Sequence, residues 1–495
     1  MKKLLFLLLF AAAGLQGWAD EYYLVGGCTD SGWSAGEWER SAVRAYTADG
    51  TTWVWAGKLT TGEGDAGRFK IPNGTSEWHA GYWAPSQGTV LTSEWSGMDD
   101  NGDSNDYKWC VSEEGYYLIT FKTDTKQIKA EKLTAPSKDG DYYLINSVSD
   151  YYYFAAYIAT DDTKNAKARL TADLNFSGYT FTPMASDKHK FKGEFDGNGH
   201  TIDYAVVQAS SYGKIGLFTY LADGANVHDL IMGPNCSFTA TVKVGGIAGY
   251  ARDGGEVTLT NIINMANVTS TGGSNGNEGN TAGFIACGTD KTMITATNCV
   301  NMGTVRGQDG QCAAFAGWTN ESNGDPATNT TFTNCWNIGE IYNIEGTAQL
   351  YRNSGKVTAT NCYDLTATGN QGTKLDAGAA ASGELAIMLN ARKTSGSDWY
   401  QTVGTDTHPF PFSSPSHTEL TVTPTNGWYE LSQPWQLRWM AECVNEKNGT
   451  YGNANIKLTD NINYSAYTGQ AAMIGKPSNT FKGVFDGQCH TVTVA

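Results

Sequence analysis

The stretch TNIINM at residues 260–265 decides the fold, because similar stretches recur along the chain. The other copies are HDLIMG (228–233), TNCVNM (297–302), TNCWNI (333–338) and TNCYDL (360–365). Similarity at a regular period is the mark of a solenoid, in which each repeat packs on its neighbours. The runs between the copies, such as EVTLTN and MITATN, are β-rich and have no helical period. The repeats therefore predict a parallel β-helix over residues 141–372.

A second repeated box sets the spacing of the coils. It reads IGLF at 215–218, VGGIAG at 244–249, TAGFIA at 281–286 and CAAFAG at 312–317. Equivalent positions of stacked coils lie about 4.8 Å apart, so a small residue lets the backbone turn tightly where coils crowd. The aligned small residues are Gly216, Gly246, Gly283 and Ala314.

One column of polar residues runs through the first repeated motif. A buried Asn at an inward turn can hydrogen-bond the amide or backbone of the next coil, which satisfies polar groups along the stack. We therefore interpret this column as structural rather than catalytic. Cys299, Cys335 and Cys362 come directly after it, and we interpret them as small buried apolar side chains. The column consists of Asp229, Asn261, Asn298, Asn334 and Asn361.

Sequence near the C-terminus repeats the beginning of the solenoid. FKGEFDGNGHTI at 191–202 recurs as FKGVFDGQCHTV at 481–492, an offset of 290 residues. RLTADLNFS and KLTDNINYS, which begin at residues 169 and 457, match in the same way. We expect residues 426–495 to start a second β-helix after a closing segment and linker at 373–425. One coil cannot bury a β-helix face, so we expect this second unit to continue beyond Ala495.

A helix is predicted at the start of this second unit, in SQPWQLRWMAECVN at 432–445, with Ser432 as its N-cap. Such a helix can plug the open end of a β-helix, where the first coil would otherwise expose unpaired backbone groups. Asp196 and His200 look reactive together, but they flank the turn signal DGNG, so we interpret them as structural. The apolar residues that share one face of the helix are Leu437, Met440, Ala441 and Val444.

The N-terminus has the organisation of a signal peptide. Two lysines precede an apolar run at residues 4–15, and Gly17 and Ala19 place small residues at a cleavage site before Asp20. We therefore expect residues 1–19 to be removed and the chain to be exported, to the outer-membrane surface or the medium. No later segment is apolar enough to span a membrane. Attachment to a cell surface would then come through sequence beyond Ala495.

The composition argues against some partners. The 495 residues include 34 Lys and Arg against 50 Asp and Glu, which gives a formal charge of −16. Such an acidic surface repels phosphate backbones and anionic lipid heads, so nucleic acid and membrane surfaces are poor candidates. The 58 Gly residues indicate a turn-rich, all-β protein. Cys28 and Cys110 could either bridge the N-terminal domain or remain thiols.

Tryptophan is concentrated in the N-terminal domain, residues 20–134. Nine of the 15 Trp residues precede residue 134, among β-rich runs such as TWVWAGKL and YYLITFK, and this pattern predicts a small antiparallel β-sandwich. Trp53 and Trp55 share a parity, so we assign both to the core, and we assign Trp33 a structural role in a turn. Further Trp residues remain for the surface, where an indole can cover the apolar face of a sugar ring. The candidates for that surface are Trp38, Trp78, Tyr82 and Trp83.

These segments resemble known families. YYLVGGCTDSGW, GRFKI and GYYLITFKTDTKQIKAEKL, within residues 20–134, are similar to the starch-binding modules of the SusE/SusF outer-membrane family. That resemblance implies non-catalytic binding of α-glucans through an aromatic platform. The repeats of the second domain resemble the GLUG-motif repeats of bacterial surface proteins, which implies a right-handed β-helix linked to adhesion. ASGELAIMLN at 381–390 is similar to the closing unit that follows such repeats.

No catalytic motif stands out in the sequence. It contains no GxSxG, HExxH, P-loop or dinucleotide-binding pattern, and its seven His residues lack zinc-ligand spacing. The acidic loop at 99–106 departs from the calcium-loop pattern. We therefore expect no cofactor or metal, and a non-enzymatic protein whose sandwich binds a starch-like polysaccharide or oligosaccharide beside an adhesive scaffold. Two alternatives stay open: a β-helix polysaccharide lyase or glycoside hydrolase with a binding module, and an adhesin whose Trp loops bind protein.

Overall fold

The computed structural model describes residues 20–74, 80–100, 105–209, 213–272, 279–307, 312–319, 329–343, 350–351, 356–366, 371–391, 393, 396–446, 451–464 and 473–494. The predicted signal peptide, residues 1–19, lies outside these ranges. Strands dominate the described residues, and most strand pairs are parallel. The predicted all-β class is therefore confirmed, with a sandwich followed by a parallel solenoid.

The N-terminal domain is a sandwich around an aromatic core. An antiparallel sheet in the order β1-β2-β9-β10-β7 faces a smaller sheet, β3-β8-β6, and the pair β4-β5. Trp53 and Trp55 are buried between the layers, as predicted. The strands are β1 (Tyr46–Thr47), β2 (Thr52–Leu59), β3 (Arg68–Phe69), β4 (Ile71–Pro72), β5 (Gly81–Tyr82), β6 (Thr89–Val90), β7 (Ser96–Gly97), β8 (Trp109–Cys110), β9 (Gly115–Lys122) and β10 (Gln127–Lys132), with 3₁₀ turns at Ala35–Glu37 and Gly64–Gly67.

A helix that the sequence did not predict closes the start of the solenoid. Helix α1 (Val148–Tyr157) begins with a capping box, because the Ser147 hydroxyl accepts from the Asp150 amide at 3.2 Å. A short strand before the helix, β11, pairs antiparallel with β12. The strands around the helix are β11 (Lys138–Asp139), β12 (Tyr142–Ile145), β13 (Lys167–Leu170), β14 (Leu174–Asn175), β15 (Glu194–Asp196) and β16 (Thr201–Asp203).

The coils stack as parallel sheets in the next 22 strands. Successive coils pair in register in the orders β17-β21-β25-β30-β35, β18-β22-β26-β31 and β19-β23-β27-β32, while β20, β24, β29, β34, β37 and β38 continue the sheet of β12, β13 and β15. The strands are β17 (Val206–Gln208), β18 (Lys214–Ile215), β19 (Phe218–Leu221), β20 (Asn226–Met232), β21 (Ser237–Ala240), β22 (Lys243–Gly245), β23 (Ala248–Ala251), β24 (Glu256–Asn264), β25 (Asn267–Ser270), β26 (Asn280–Ala282), β27 (Ile285–Gly288), β28 (Met293–Thr297), β29 (Val300–Asn301), β30 (Val305–Gly307), β31 (Cys312–Ala313), β32 (Ala316–Trp318), β33 (Asn329–Thr333), β34 (Trp336–Asn337), β35 (Ile341–Asn343), β36 (Lys356–Thr360), β37 (Tyr363–Asp364) and β38 (Thr373–Lys374).

The predicted polar column is present and structural, but it is not fully buried as expected, because only Asn298 of its five residues is buried and the others are half-buried. Its five residues adopt left-handed backbone, with φ between 52° and 55°, a conformation that Asn and Asp tolerate better than most residues. Each Asn amide donates to the column residue one coil earlier, at 2.8–3.2 Å. The last member, Asn361, also donates to the carbonyls of Met388 and Leu389, so the closing segment caps the column. Cys299, Cys335 and Cys362 are buried beside it, as predicted.

A second Asn column, which the sequence analysis missed, explains the small-residue box. Asn264 donates to Asn301 at 3.0 Å, and Asn301 donates to Asn337 at 2.9 Å, all three side chains being buried. A Cβ added to Gly246 would lie 2.6 Å from the Asn264 carbonyl oxygen, and one added to Gly283 would lie 2.1 Å from that of Asn301. At Gly246 and Gly283 the side-chain amides of this column and the adjacent backbone leave no space for a Cβ, whereas at Gly216 the backbone of Gly245 and Ala248 does so.

The C-terminal region repeats the start of the solenoid, as predicted. Strands β39-β40-β42 and β41-β43 pair in the same parallel pattern as β12-β13-β15 and β14-β16. The predicted face of the helix is buried, but Ser432 is not the N-cap: its amide donates to Gln436 at 2.7 Å and the helix begins at Pro434. The elements are α2 (Gly378–Ala381), α3 (Glu384–Asn390), β39 (Trp428–Leu431), α4 (Pro434–Glu446), β40 (Asn455–Leu458), β41 (Ile462–Asn463), β42 (Val484–Asp486) and β43 (Val492–Thr493).

Candidate glycan-binding surface

The aromatic residues expected to contact sugar do not form an exposed platform. Trp38, Tyr82 and Trp83 are buried, so their assignment to an exposed surface is wrong. Tyr82 lies on β5, and its ring packs into the core 5.5 Å from that of Tyr22. Trp83 exchanges backbone hydrogen bonds with Asp99. Trp78 lies outside the described residues.

Trp33 and the two N-terminal cysteines have intramolecular contacts. The half-buried Trp33 donates from Nε1 to the Asp65 carbonyl at 3.3 Å, which agrees with a structural role. Cys28 and Cys110 are both free thiols in the structure, and the Cys110 thiol donates to the Gly88 carbonyl at 3.4 Å. Burial raises the pKa of the Cys28 thiol to about 12, so it is protonated at neutral pH.

One tryptophan is exposed among those that the structure describes. Trp95 lies just before the edge strand β7 and exposes 40% of its surface. The ammonium groups of Lys122 and Lys129, from β9 and β10, lie 4.9 and 5.2 Å from the centroid of its ring. Cation–π attraction holds the indole on the outer face of the sheet. An aromatic surface with two flanking donors is thus displayed at this end of the sandwich.

The same sheet face continues into a groove between the two domains. Glu131 on β10 forms an ion pair with Lys129 at 3.1 Å and also lines this groove. The groove has a volume of about 580 Å³, within the 300–1,000 Å³ range usual for ligand sites. Tyr179, in the loop after β14, is 57% exposed at its rim. We call Trp95, Lys122, Lys129, Glu131 and Tyr179 the Trp95–Tyr179 surface.

Helix α1 holds the sandwich on the solenoid. Its Tyr153 and Tyr157 rings pack 5.0 and 5.6 Å from the ring of Tyr116 on β9. Val54 of β2 joins the solenoid core at the same contact. Helix α1 of the solenoid therefore covers part of the outer sheet face of the sandwich, while Trp95 stays exposed.

Ion pairs join the two domains beside this helix. Asp30 in the sandwich contacts Lys188 Nζ at 2.9 Å and His189 Nε2 at 2.8 Å, both from the solenoid. Arg40 contacts Asp187 at 3.3 Å. Burial opposes ionisation of Asp30, but hydrogen bonds from His189 and Lys188 outweigh it and lower its pKa to about 2.

A cluster of acidic groups and one histidine lies on the outer face of the first coils. His228 Nδ1 lies 2.8 Å from Asp229 and 3.7 Å from Asp196, and its Nε2 lies 3.1 Å from Glu194. Asp196 also binds Arg169 at 2.6 Å. Asp196, His228 and Asp229 are close enough to hold a metal ion, but each already has a partner in the protein. The structure therefore assigns the cluster to joining coils.

Asp196 and His200 are not paired with each other. His200 Nδ1 contacts Asp173 at 3.1 Å, whereas Asp196 accepts from the Asn198 amide at 2.8 Å within the turn. The structural interpretation of this turn is consistent with these contacts.

The sequence around the exposed Trp95 differs from that around the buried tryptophans. Trp95 lies between Glu and Ser residues in TSEWSG, with no apolar alternation beside it. That isolation was the signal for an exposed ring.

The fold and this surface define an all-β protein with a parallel solenoid and a docked aromatic-rich sandwich. Helices in the described parts of the chain are too short or too polar to cross a membrane. A comparison with known protein families finds no match. Over 139 residues, 26% of this chain, it is 32% identical to halomucin from Haloquadratum walsbyi, of which it spans 1%. A solved structure from Bacteroides ovatus, provisionally described as an immunoglobulin A1 protease, aligns with a TM-score of 0.39 and 17% identity, over 57% of this chain and 96% of that chain.

Proposed function

We propose that this chain is an exported, non-catalytic glycan-binding protein that acts at the cell surface, with the solenoid as its scaffold. The observation that carries the proposal is the exposed indole of Trp95 between two lysines. An indole face stacks on the C–H face of a sugar ring, and ammonium groups donate to its hydroxyl or carboxylate oxygens. A starch-like α-glucan is the first candidate ligand.

The groove supplies a second contact for a longer chain. Tyr179 at its rim offers another exposed ring, and its walls include Ser147, Asp173 and Asn175, which can hydrogen-bond hydroxyl groups. Sites between domains are common for ligands because two rigid walls enclose them. The Trp95–Tyr179 surface is therefore suited to an extended oligosaccharide rather than to one terminal sugar.

Binding is favoured over glycoside hydrolysis at this groove. A hydrolase requires two carboxyl groups with separate acid and base roles. The groove is lined by Glu131 and Asp173, but Lys129 contacts the first and His200 contacts the second, each at 3.1 Å. Both carboxylates thus already have partners in the protein.

Affinity electrophoresis of the full chain tests the proposal. Gels would contain starch, a neutral β-glucan or an acidic polysaccharide, and retardation in at least one of them is expected. Trp95→Ala should weaken the retarding affinity at least about tenfold, equivalent to about 1.4 kcal/mol. Tyr179→Ala should act in the same direction. Tyr342→Ala is the matched control, because Tyr342 is also exposed but lies on the distant strand β35.

Several results would contradict the proposal. Unchanged mobility in every polysaccharide would remove glycan binding, and equal losses for Tyr342→Ala and Trp95→Ala would remove the assigned surface. Release of reducing ends or unsaturated products would favour the enzyme alternative instead. Binding to protein that competing sugars leave unaffected would favour the adhesin. Melting temperatures measured alongside would separate these outcomes from unfolding.

A further inference from the structure

A small cavity lies between the sandwich and the solenoid, apart from the Trp95–Tyr179 surface. Its volume is about 70 Å³, and both domains contribute to its walls. Ser41 and Arg44 come from the sandwich, and Thr182 and Lys214 come from the solenoid. A water molecule needs about 10–15 Å³ measured in this way, so the cavity can hold several waters or one small polyatomic ligand.

Two buried hydroxyl groups in this cavity have no partner in the protein. Ser41 and Thr182 are only 4% and 3% exposed, and neither Oγ of Ser41 nor Oγ1 of Thr182 makes a hydrogen bond. Buried hydroxyls are normally paired, because leaving one unpaired costs its hydration. One hydroxyl comes from each domain, so a molecule that accepted from both would bridge the interface.

The charges around the cavity favour an acceptor with negative charge. Burial lowers the pKa of the Lys214 ammonium to about 8, with the neighbouring charge of Lys243 acting in the same direction. Two acids line the same cavity: Asp187, which is shared by Arg40 at 3.3 Å and Lys190 at 3.2 Å, and Glu39. Together they do not outweigh the effect of burial on the Lys214 ammonium. A bound anion would offset the unfavourable burial of the ammonium group.

We propose that this cavity binds a small anion of carboxylate or phosphate type, held by the Lys214 ammonium group and the hydroxyls of Ser41 and Thr182. The anion would accept one hydrogen bond from each domain and so stabilise their association. This site is independent of the proposed glycan surface. It makes the attachment of the sandwich to the solenoid depend on a soluble ligand.

Calorimetric titration and thermal unfolding of the full chain test the site. Sodium phosphate and sodium acetate are compared with sodium chloride at equal ionic strength. One of the two anions should give saturable heat and raise the melting temperature, whereas chloride should not. The double variant Ser41→Ala/Thr182→Val keeps the packing volume and should weaken that binding at least tenfold. Lys214→Met should abolish it, and Lys457→Met in the second unit should leave it unchanged.

The proposal is overturned if neither phosphate nor acetate gives saturable heat, because the cavity then holds only water. It is also overturned if the Ser41→Ala/Thr182→Val variant binds the anion as the unmodified chain does. Should Lys214→Met fail to fold, the double variant still decides the result, since it removes only two hydroxyl groups. The relative responses to phosphate and acetate distinguish the two anion classes.

Discussion

The two copies of one motif, at 191–202 and 481–492, have the same local structure and opposite burial. Phe195 in the first copy is fully buried, whereas Phe485 in the second is 43% exposed. Strand β15 of the first copy pairs with β13 on one side and β20 on the other. Strand β42 of the second copy pairs with β40 and ends its described sheet. The following coil, rather than the motif itself, therefore buries the Phe195 ring.

Local contacts in the two copies are nearly identical. The Asp173 carboxylate accepts from the Thr201 amide at 2.9 Å, and the Asn461 carbonyl accepts from the Thr491 amide at 2.8 Å. These contacts lie within one coil and its neighbour, where short-range sequence is sufficient. Burial depends on a strand that arrives about 30 residues later, which is the usual repeat length of such a solenoid.

The largest expected effect separates the two phenylalanines. Phe195→Ala should lower the free energy of unfolding by about 3–5 kcal/mol, because it leaves a cavity in a packed core. Phe485→Ala should lower it by about 1 kcal/mol or less, because the ring is already in contact with solvent. Urea unfolding followed by circular dichroism measures both, and each variant is the control for the other. Equal losses would show that the second copy is covered in solution.

The next largest change in stability is expected at Asn301, which has a neighbouring coil on each side. Asn301→Ala should cost about 2–3 kcal/mol, since it leaves buried partners on Asn264 and Asn337 unpaired. Asn298→Gly, in the first column, keeps left-handed backbone accessible, and its hydrogen-bond partners Asn261 and Asn334 are half-buried, so it should cost about 1 kcal/mol. The same urea titration compares them. A larger loss of unfolding free energy for Asn298→Gly than for Asn301→Ala would contradict the greater stabilisation assigned to the second Asn column.

The dependence of the free energy of unfolding on pH should distinguish the two copies, because His228 of the next coil contacts Glu194 in the first copy. Burial lowers the pKa of His228, but hydrogen bonds to Asp229 and Glu194 outweigh it, so its pKa lies above 6.5. His228 therefore contributes stability below pH 6.5, and that contribution is lost as the pH rises through its raised pKa. His228→Gln should flatten this part of the stability–pH curve. An unchanged slope of unfolding free energy against pH would show that His228 does not stabilise the contact between the coils.

The same measurement should also show a loss of stability at acid pH. Burial of Glu194 opposes its ionisation, but hydrogen bonds from Tyr142, Lys167 and His228 lower its pKa from 4.5 to about 2. Its contribution to stability is present above pH 4.5 and is lost as the pH falls toward 2. Glu194→Gln should reduce the steepness of that loss, as measured by urea unfolding between pH 2 and 5.

The smallest expected change in stability concerns the turn within each copy, DGNG in the first and DGQC in the second. Gly199 has φ of 77°, and the equivalent Cys489 has φ of 62°, a left-handed conformation that strains a residue with a Cβ atom. Cys489→Gly should therefore stabilise the second copy by about 0.5–1 kcal/mol. Gly199→Ala should destabilise the first by a similar amount. A lower melting temperature for Cys489→Gly, or a higher one for Gly199→Ala, would refute the shared turn geometry.

Sequence reasoning predicted the repeated parts of the fold well. The Asn column, the buried Cys residues and helix α4 follow from patterns that recur or have a helical period. Helix α1 was missed because its run of Tyr and Ala residues has apolar side chains all round, so no single face stood out. The inner Asn column was equally visible in the repeats, three residues after the first.

The candidate site was predicted less well. The sequence located the aromatic-rich domain, but Trp38, Tyr82 and Trp83 are buried and Trp95 is exposed. Alternation in short strands tells which residues share a face, not which face another layer covers. In this sandwich, Tyr82 packs into the core between the layers, and helix α1 covers part of the outer sheet.

By itself, the amino-acid sequence determined the all-β class, the solenoid period and the Asn column, because these depend on residues close in the chain or repeated in register. Only the tertiary structure decided which tryptophan meets solvent, which phenylalanine is buried, and that Ser41 and Thr182 face one cavity. Those outcomes depend on contacts between separate segments, from about 30 residues apart for the strands around Phe195 to more than 100 for Asp30 with His189. Burial is a property of the partner surface, and no local pattern encodes it.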